Sequence, residues 1–360
     1  MRTPALTIPL AVLFLFGVAH ADSTKTVESN PETASVAERV LEVGAALGPG
    51  LLVHGLGHLT AGETKTGLTL LAMEGIGAGI AVGGITSLAL SGAAHEWIVP
   101  SIGLTGVGVG LFVGSYLLDV YGVLSPEGGF GSAPVHSPWS AVHIGYRHVV
   151  DPVREVDGLL VLGGRLIVGQ VALTPTVWRT PEGRDQRFEI HGTYRLAGPP
   201  INRWGNALEL DAALVHHRYD PGAFDISTGE LTLTGRWDMG TLAPSLAGSY
   251  TAIGMGLSGG FIDYDGIGKE PTSMLLMRFE FGVFLGHESA PRGRLALYYD
   301  HRHDGYVAGM KSVGVGSGAL GHLGALLDME LLGPWGLALS VEGGSAIVSG
   351  LSLTWKGERR

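Results

Sequence analysis

The chain has no cysteine in 360 residues. That excludes disulfides, thiolate nucleophiles and Cys-ligated zinc. Charge is also sparse: Asp, Glu, Lys and Arg make up 16%, and the balance is acidic, 23 basic against 33 acidic residues for a formal −10. So few Lys and Arg leave little to hold phosphates, so nucleic acid is excluded as a partner. What is plentiful is glycine, 59 residues without a collagen period, in a chain that is 45% hydrophobic. The length allows one large or two ordinary domains.

The first 21 residues read as a secretory signal peptide. Arg2 gives a positive start, Ala5–Val18 is an apolar run, and Ala19-His20-Ala21 is a small-residue cleavage site, so the mature chain begins at Asp22. Removing the leader takes away Arg2 and no acid. Residues 22–35 are polar and aperiodic, a flexible mature N-terminus. Ser35 with Glu38 three residues on forms a capping-box pattern for a helix starting near Val36.

Residues 36–121 read as a Gly-rich helical segment. Two apolar stretches, Gly67–Ala94 and Ile98–Leu118, make a hairpin whose turn is marked by His95-Glu96 and Pro100. Glycines recur every fourth position, at Gly75, Gly79 and Gly83 and at Gly106, Gly110 and Gly114. This spacing lines one helix face and predicts a close glycine-zipper contact. The hairpin either enters a membrane or packs as a soluble element. Residues 122–138, with Pro126, Gly128-Gly129, Pro134 and Pro138, form a linker.

Residues 139–355 change period. In Arg278–Leu285 the polar Arg278 and Glu280 alternate with Phe279, Phe281, Val283 and Leu285, and Met277 continues the apolar set. A period of two means strands with one apolar and one polar face. The pattern repeats. Phe188, Ile190, Tyr194 and Leu196 oppose Arg187, Glu189, His191 and Arg195; Leu295, Leu297 and Tyr299 oppose Arg294, Tyr298, Asp300 and Arg302. Twelve segments result: 139–150, 158–179, 186–197, 204–218, 229–238, 241–253, 256–265, 273–286, 291–303, 318–331, 335–343 and 345–355. The stretch 158–179 has room for two strands and 241–265 reads equally as one. Single-chain bacterial barrels have even strand numbers, so twelve is expected, with ten as the alternative. The fold class is an α+β membrane protein: a helical hairpin segment, then an antiparallel transmembrane β-barrel. The competing class is a soluble β domain that hides the apolar faces. Aromatics at 8% are a thin supply for two interfacial girdles.

The last strand resembles the C-terminal signal of bacterial outer-membrane β-barrel proteins. Ile347, Leu351, Leu353 and Trp355 alternate up to a terminal aromatic, Ser349 interrupts the series, and a tail, 356–360, follows. The resemblance implies a Gram-negative outer membrane, a lipid bilayer around the barrel, and an outer-membrane assembly machinery that engages the strand ending at Trp355. Pro49-Gly50, Gly55-x-Gly57-His58, Ala61-Gly62 and Lys65-Thr66-Gly67 resemble a signature of small bacterial membrane proteins with paired helices. That likeness implies a helical hairpin near a membrane and no chemistry.

No strong catalytic motif stands out. His54 and His58 share one helix face near Glu63 and Glu74, which is metal-ligand spacing, but Gly55 stands where H-E-x-x-H needs Glu. Glu74, in an apolar run, is expected to partner His54 or His58. Asp300-His301-x-His303-Asp304 and His216-His217-x-x-Asp220 lie at strand ends, where acid–base groups of a rim enzyme would stand. Ser258-Gly259-Gly260 reads as a Gly-rich turn, and Gly314-x-Gly316-x-Gly318 lacks a βαβ unit for a dinucleotide. The expectation is a non-enzymatic outer-membrane barrel without cofactor, structural or passively transporting. The alternatives are a barrel-rim hydrolase and an inner-membrane protein with two spans and a periplasmic β domain.

Overall fold

The structure, a computed structural model, describes residues 36–125, 128–134, 137–151, 158–183, 185–219, 224–264, 268–286, 292–301, 311–312, 316–317 and 321–357. The signal-peptide, flexible-terminus and Ser35-cap expectations lie outside the described residues. The chain divides into two compact units, one of residues up to 127 with Gly240–Ala247, the other of the remaining residues.

The first unit is helical. It contains α1 (Val36–Leu47), a 3-10 turn (Pro49–Leu51), α2 (Leu56–Thr60), α3 (Thr64–Leu90) and α4 (His95–Leu124). The break between α3 and α4 falls at Ser91–Ala94, where Gly92 and Ala93 both have positive φ. His95 and Glu96 open α4 and Pro100 lies inside it, so these three do not form the turn. The zipper expectation also needs correction. A methyl added at Gly75, Gly79 or Gly83 would meet nothing within 4 Å. The helices approach instead through Gly77, whose missing Cβ would lie 2.7 Å from Phe112 N and 2.8 Å from Gly108 O, and through Gly84, 2.4 Å from Thr105 Oγ1. Gly110 and Gly114 are buried and Gly106 is half-buried. Both helices are apolar all round, so hydropathy does not say which of their faces is the inner one.

The second unit is a closed antiparallel barrel of twelve strands: β1 (Ser140–Val150), β2 (Gly158–Val168), β3 (Val171–Arg179), β4 (Gln186–Ala197), β5 (Ala207–Tyr219), β6 (Phe224–Asp238), β7 (Ser249–Tyr264), β8 (Gly268–Leu285), β9 (Gly293–Asp300), β12 (His322–Glu330), β13 (Trp335–Gly343) and β14 (Ile347–Gly357). Two short strands, β10 (Lys311–Ser312) and β11 (Gly316–Ser317), pair apart from it between β9 and β12. β1 closes the sheet on β14, with Ser140 opposite Gly357 and Val150 opposite Ile347. Closure gives each of the twelve strands a hydrogen-bonded neighbour on both sides.

Twelve is the expected count, reached by two offsetting changes. Residues 158–179 form two strands, because Gly169 at φ +63° closes a two-residue turn. Residues 249–264 form one strand, paired with β6 from Ser249's neighbour Tyr250 to Tyr264. Gly254 and Gly256 do not turn the chain there; their inward positions give room to Thr232 and Thr234. Strand β14 also runs past Trp355 to Gly357. Pro175 is tolerated in β3 because the ladder to β2 has a gap opposite it, between Gly163↔Thr176 and Leu166↔Leu173.

Strand parity sorts the side chains. Facing outward are Val142, Ile144, Leu160, Leu162, Ile190, Leu214, Leu231, Leu257, Leu297, Leu339 and Leu353, all exposed. Ile144 keeps 61% of its area and Leu214 68%. On β8 the outward Met277, Phe281 and Val283 are instead covered within the protein, at 9, 6 and 9% exposure. The few aromatics are concentrated in two zones. Trp237, Trp335 and Trp355 lie outward near the end where β1 starts and β14 finishes; Tyr146, Phe188, Phe261 and Tyr299 lie towards the other end. Phe261 pairs with Ser227, and Trp237 follows ten residues along β6. At about 3.3 Å per residue and a tilt of roughly 40°, that separation is about 25 Å along the axis, the height of a barrel's apolar band.

Candidate functional site

The inward positions hold the chemistry. Successive strands contribute Arg147, Arg165, Arg187, Arg195, Arg236, Arg278, Arg294 and Lys356, with Glu189, Glu209, Asp211, Glu230, Glu280, Asp300, Asp328, Glu330 and Glu342 opposing them. Neither sign dominates. Three groups organise the interior.

The first centres on Glu280 of β8. Its carboxylate accepts from Tyr250 Oη and, at 2.7 Å, from Arg278 Nη2, while Arg294 Nη1 lies 3.6 Å away. The second centres on Glu209 of β5, 2.7 Å from Arg195 Nη2 and 3.7 Å from Arg236 Nη2. Asp211 beside it accepts from Thr193 and Thr234 hydroxyls at 2.7 and 2.8 Å. The third joins Arg147 to Glu342 at 3.4 Å, with Tyr298 Oη donating to the same carboxylate at 2.6 Å. Arg147 also stacks 4.3 Å over Trp178. Such pairing lets the charges of these three groups leave bulk water with partners.

Between the first two groups lies a cavity of about 340 Å³, lined by Thr174, His191, Asp211, Thr232, Arg236 and Glu280 among others. One wall is Trp204, carried by the β4–β5 connection. Its ring meets Tyr250 edge-on at 4.8 Å and Phe284 at 4.9 Å, under Arg236 at 4.1 Å. A loop tryptophan folded inward narrows the lumen at the end where β1 begins. The strand expected from residue 204 begins only at Ala207, so Trp204 lies in the connection and not in the alternation.

The rim candidates do not converge. Asp300 points inward and is buried at the end of β9; His301 Nδ1 lies 3.1 Å from Tyr299 Oη. His303 and Asp304 lie outside the described residues, as does Asp220. His216 faces outward, its Nδ1 3.0 Å from Ser227 Oγ, whereas His217 faces inward, buried and stacked on Tyr219 at 3.6 Å. Adjacent strand residues point to opposite faces, so the two histidines cannot act together. Gly256-x-Ser258-x-Gly260 has the spacing of a nucleophile elbow. It is neither elbow nor turn: the segment continues straight through β7 with Ser258 buried and inward, and no helix follows. Among the described residues no group of three or more His, Asp or Glu side chains is placed to hold a metal ion.

His54 and His58 are fully buried in the helical unit. Glu74 does reach His54, but through the backbone: Glu74 Oε2 accepts from His54 N at 2.8 Å. The imidazoles take other partners. His54 Nδ1 lies 2.7 Å from Ser115 Oγ, whose hydroxyl donates to Phe112 O, so the ring donates. Burial pushes His54 below the ordinary imidazole value, against the opposing pull of Glu74 and Asp119. His58 Nδ1 is 2.7 Å from Asp119 Oδ1, and Asp119 also accepts from Gly55 N, Gly57 N and His58 N at 2.9, 3.2 and 3.2 Å. Asp119 is thus the anchor of the Gly55–His58 turn. Its one sequence signal is that it is the first charge after the uncharged run of α4. Glu63 Oε2 is 4.0 Å from His58 Nε2 and accepts from Ser245 Oγ at 2.6 Å. Tyr121 Oη donates to Ala247 O at 2.5 Å. The arrangement pins a loop between helices. It is a structural knot.

No protein-family model matches the chain, and no curated protein matches it. Solved structures do. A KdgM porin in complex with disordered oligogalacturonate is 7% identical with a TM-score of 0.37, covering 61% of this chain and 99% of that one. The translocator domain of autotransporter NalP from Neisseria meningitidis is 11% identical with a TM-score of 0.37, over 61% and 88%. The Acinetobacter baumannii outer membrane protein Omp33 is 9% identical with a TM-score of 0.31, over 62% and 100%. These likenesses concern the barrel fold alone, and the structures matched are bacterial outer-membrane β-barrels.

Proposed function

We propose that this chain is exported by a cleaved signal peptide to the outer membrane of a Gram-negative bacterium, and that its barrel is a narrow passive channel for small hydrophilic solutes rather than an enzyme. One observation carries the reading: the closed barrel is inverted in polarity, with aliphatic side chains outward and paired ions inward. A soluble β domain hides its apolar faces in a core, and these apolar faces point away from the enclosed space. Lipid is the solvent that suits them. The mixed-sign lumen excludes apolar solutes without selecting strongly for one charge, and Trp204 holds its bore narrow. Strand β14, which carries Trp355, is the segment offered to the assembly machinery.

The test is density fractionation of tagged protein followed by planar-bilayer recording. Outer-membrane density, heat-shifted gel migration and a small unitary conductance are expected. Trp204→Ala removes one wall of the cavity and is expected to raise the conductance severalfold. Inner-membrane density overturns the address. No conductance from either form overturns the channel and leaves a structural barrel.

A further inference from the structure

The helical unit carries its own contradiction with water. α3 and α4 have 27 and 30 residues and are long and apolar enough to cross a membrane. After Lys65 the sole charge in α3 is Glu74, and α4 has none between Glu96 and Asp119. The large side chains they expose along the uncharged runs are apolar: Leu68, Ile76, Val82 and Ile85 on one, Trp97, Leu104 and Val109 on the other. At their closest approach they present small or hydroxylic residues: Ser101 Oγ meets Ser87 Oγ at 3.2 Å, and Gly77, Gly84 and Gly108 let the backbones come close, with Leu111 against Gly77. A pair of helices in water does the reverse. Glycine and hydroxyl inside with aliphatics outside is how helices meet in lipid.

We infer that the α3–α4 hairpin inserts into a lipid bilayer, and that this is the same bilayer that holds the barrel. The inference rests on the barrel being a membrane protein, as proposed above. The tether between the two units selects that bilayer. The chain from Ser125 to Trp139 is 15 residues and extends to about 50 Å at most, too short to carry the hairpin across the envelope to a second membrane. The polar knot of Glu74, His54, His58 and Asp119 then marks the water-side end of the hairpin. The occupant of the exposed apolar surface is the acyl chain of the surrounding lipid.

The absence of cysteine makes the test direct. Full-length protein carrying a single cysteine at Val82, Val109, Leu162 or Arg39 is labelled with bimane. Each is reconstituted in phosphatidylcholine vesicles brominated at mid-chain. Val82→Cys and Val109→Cys are expected to be quenched as strongly as the outward barrel position Leu162→Cys, and about twofold or more beyond the exposed Arg39→Cys in α1. Quenching at Leu162 with none at Val82 and Val109 overturns the hairpin inference while sparing the barrel. No quenching at Leu162 overturns the barrel reading and the inference with it. Protein in unbrominated vesicles is then mixed with empty brominated ones. Quenching at Val82 that needs the second vesicles means that the hairpin seeks another membrane, which also overturns the inference.

Discussion

The barrel and the helical unit turn the same polarity inside out by different means. Strands of the barrel satisfy their backbone through closure, so a period-two pattern can send most aliphatics outward and most ions inward. Helices satisfy their backbone alone, so α3 and α4 need no ions between them and meet on glycine and hydroxyl instead. The lumen spreads its charges over many pairs. The helical unit gathers most of its polar contacts on one carboxylate, Asp119, which accepts from three backbone amides and one imidazole, while Glu74 takes the His54 amide. A distributed network should tolerate loss better than a single anchor.

The largest effect is expected from Asp119→Ala. It strands several buried donors in the helical unit, at a cost of about 3–5 kcal/mol. Hydrogen exchange should rise sharply over residues 50–67 while heat-shifted gel migration of the barrel stays unchanged. Unchanged exchange would remove Asp119 from its anchoring role. Glu280→Ala is the matched change in the barrel. Arg278 is half-exposed and Arg294 keeps Tyr250, so the loss should be smaller, about 2 kcal/mol, read as a lower unfolding temperature of the gel-resistant form. A cost above that of Asp119→Ala would reverse the comparison.

Next comes a neighbouring pair in α3. Gly84→Ala drives a methyl into Thr105 and the Ser101 carbonyl and should cost about 1–3 kcal/mol. Gly83→Ala meets open space and should gain up to about 1 kcal/mol from helix propensity. Equal effects at the two positions would mean that the helices meet on another face.

The smallest effect is a pH dependence confined to the helical unit. His54 has its folded value depressed by burial, so its neutral form is the one that folding favours. Its contribution is complete above the ordinary value of 6.5 and is lost as pH falls through the lower folded value. Hydrogen exchange around residues 51–55 should therefore accelerate on acidification below about pH 6.5. His54→Gln should flatten that profile; a profile unchanged by the substitution would assign the titration elsewhere.

The two units also differ in how far the chain announces them. β8 and β9 are legible because Arg278, Glu280, Arg294 and Asp300 alternate with Phe279, Phe281, Leu295 and Leu297, and a sheet converts parity directly into faces. The β2–β3 turn is less so, since Gly169-Gln170 is short and its neighbours are apolar on both sides. Gly254 and Gly256 resemble punctuation, yet they relieve crowding inside a continuous strand. The helical contacts resisted reading for another reason. With α3 apolar on every face, Gly75, Gly79 and Gly83 make as good a stripe as Gly77 and Gly84, and the choice is made by the partner helix. His58 and Asp119 are 61 residues apart and meet only once the hairpin has folded back. Trp204, read as the start of the 204–218 strand, becomes a wall of the lumen because the strand begins at Ala207 and the residues before it fold inward as a loop.

The claim that the barrel's aliphatic faces meet lipid and its ionic faces are enclosed is tested most directly by spin labels placed one at a time along β14, from Ile347 to Trp355, in reconstituted membranes. Accessibility to dissolved oxygen and to a water-soluble nickel reagent should alternate with a period of two and in opposite phase, oxygen favoured at Ile347, Leu351, Leu353 and Trp355 and nickel at Gly350, Ser352 and Thr354. Nickel access at Leu351 and Leu353 equal to that at Ser352, or a reversed phase, would contradict the account.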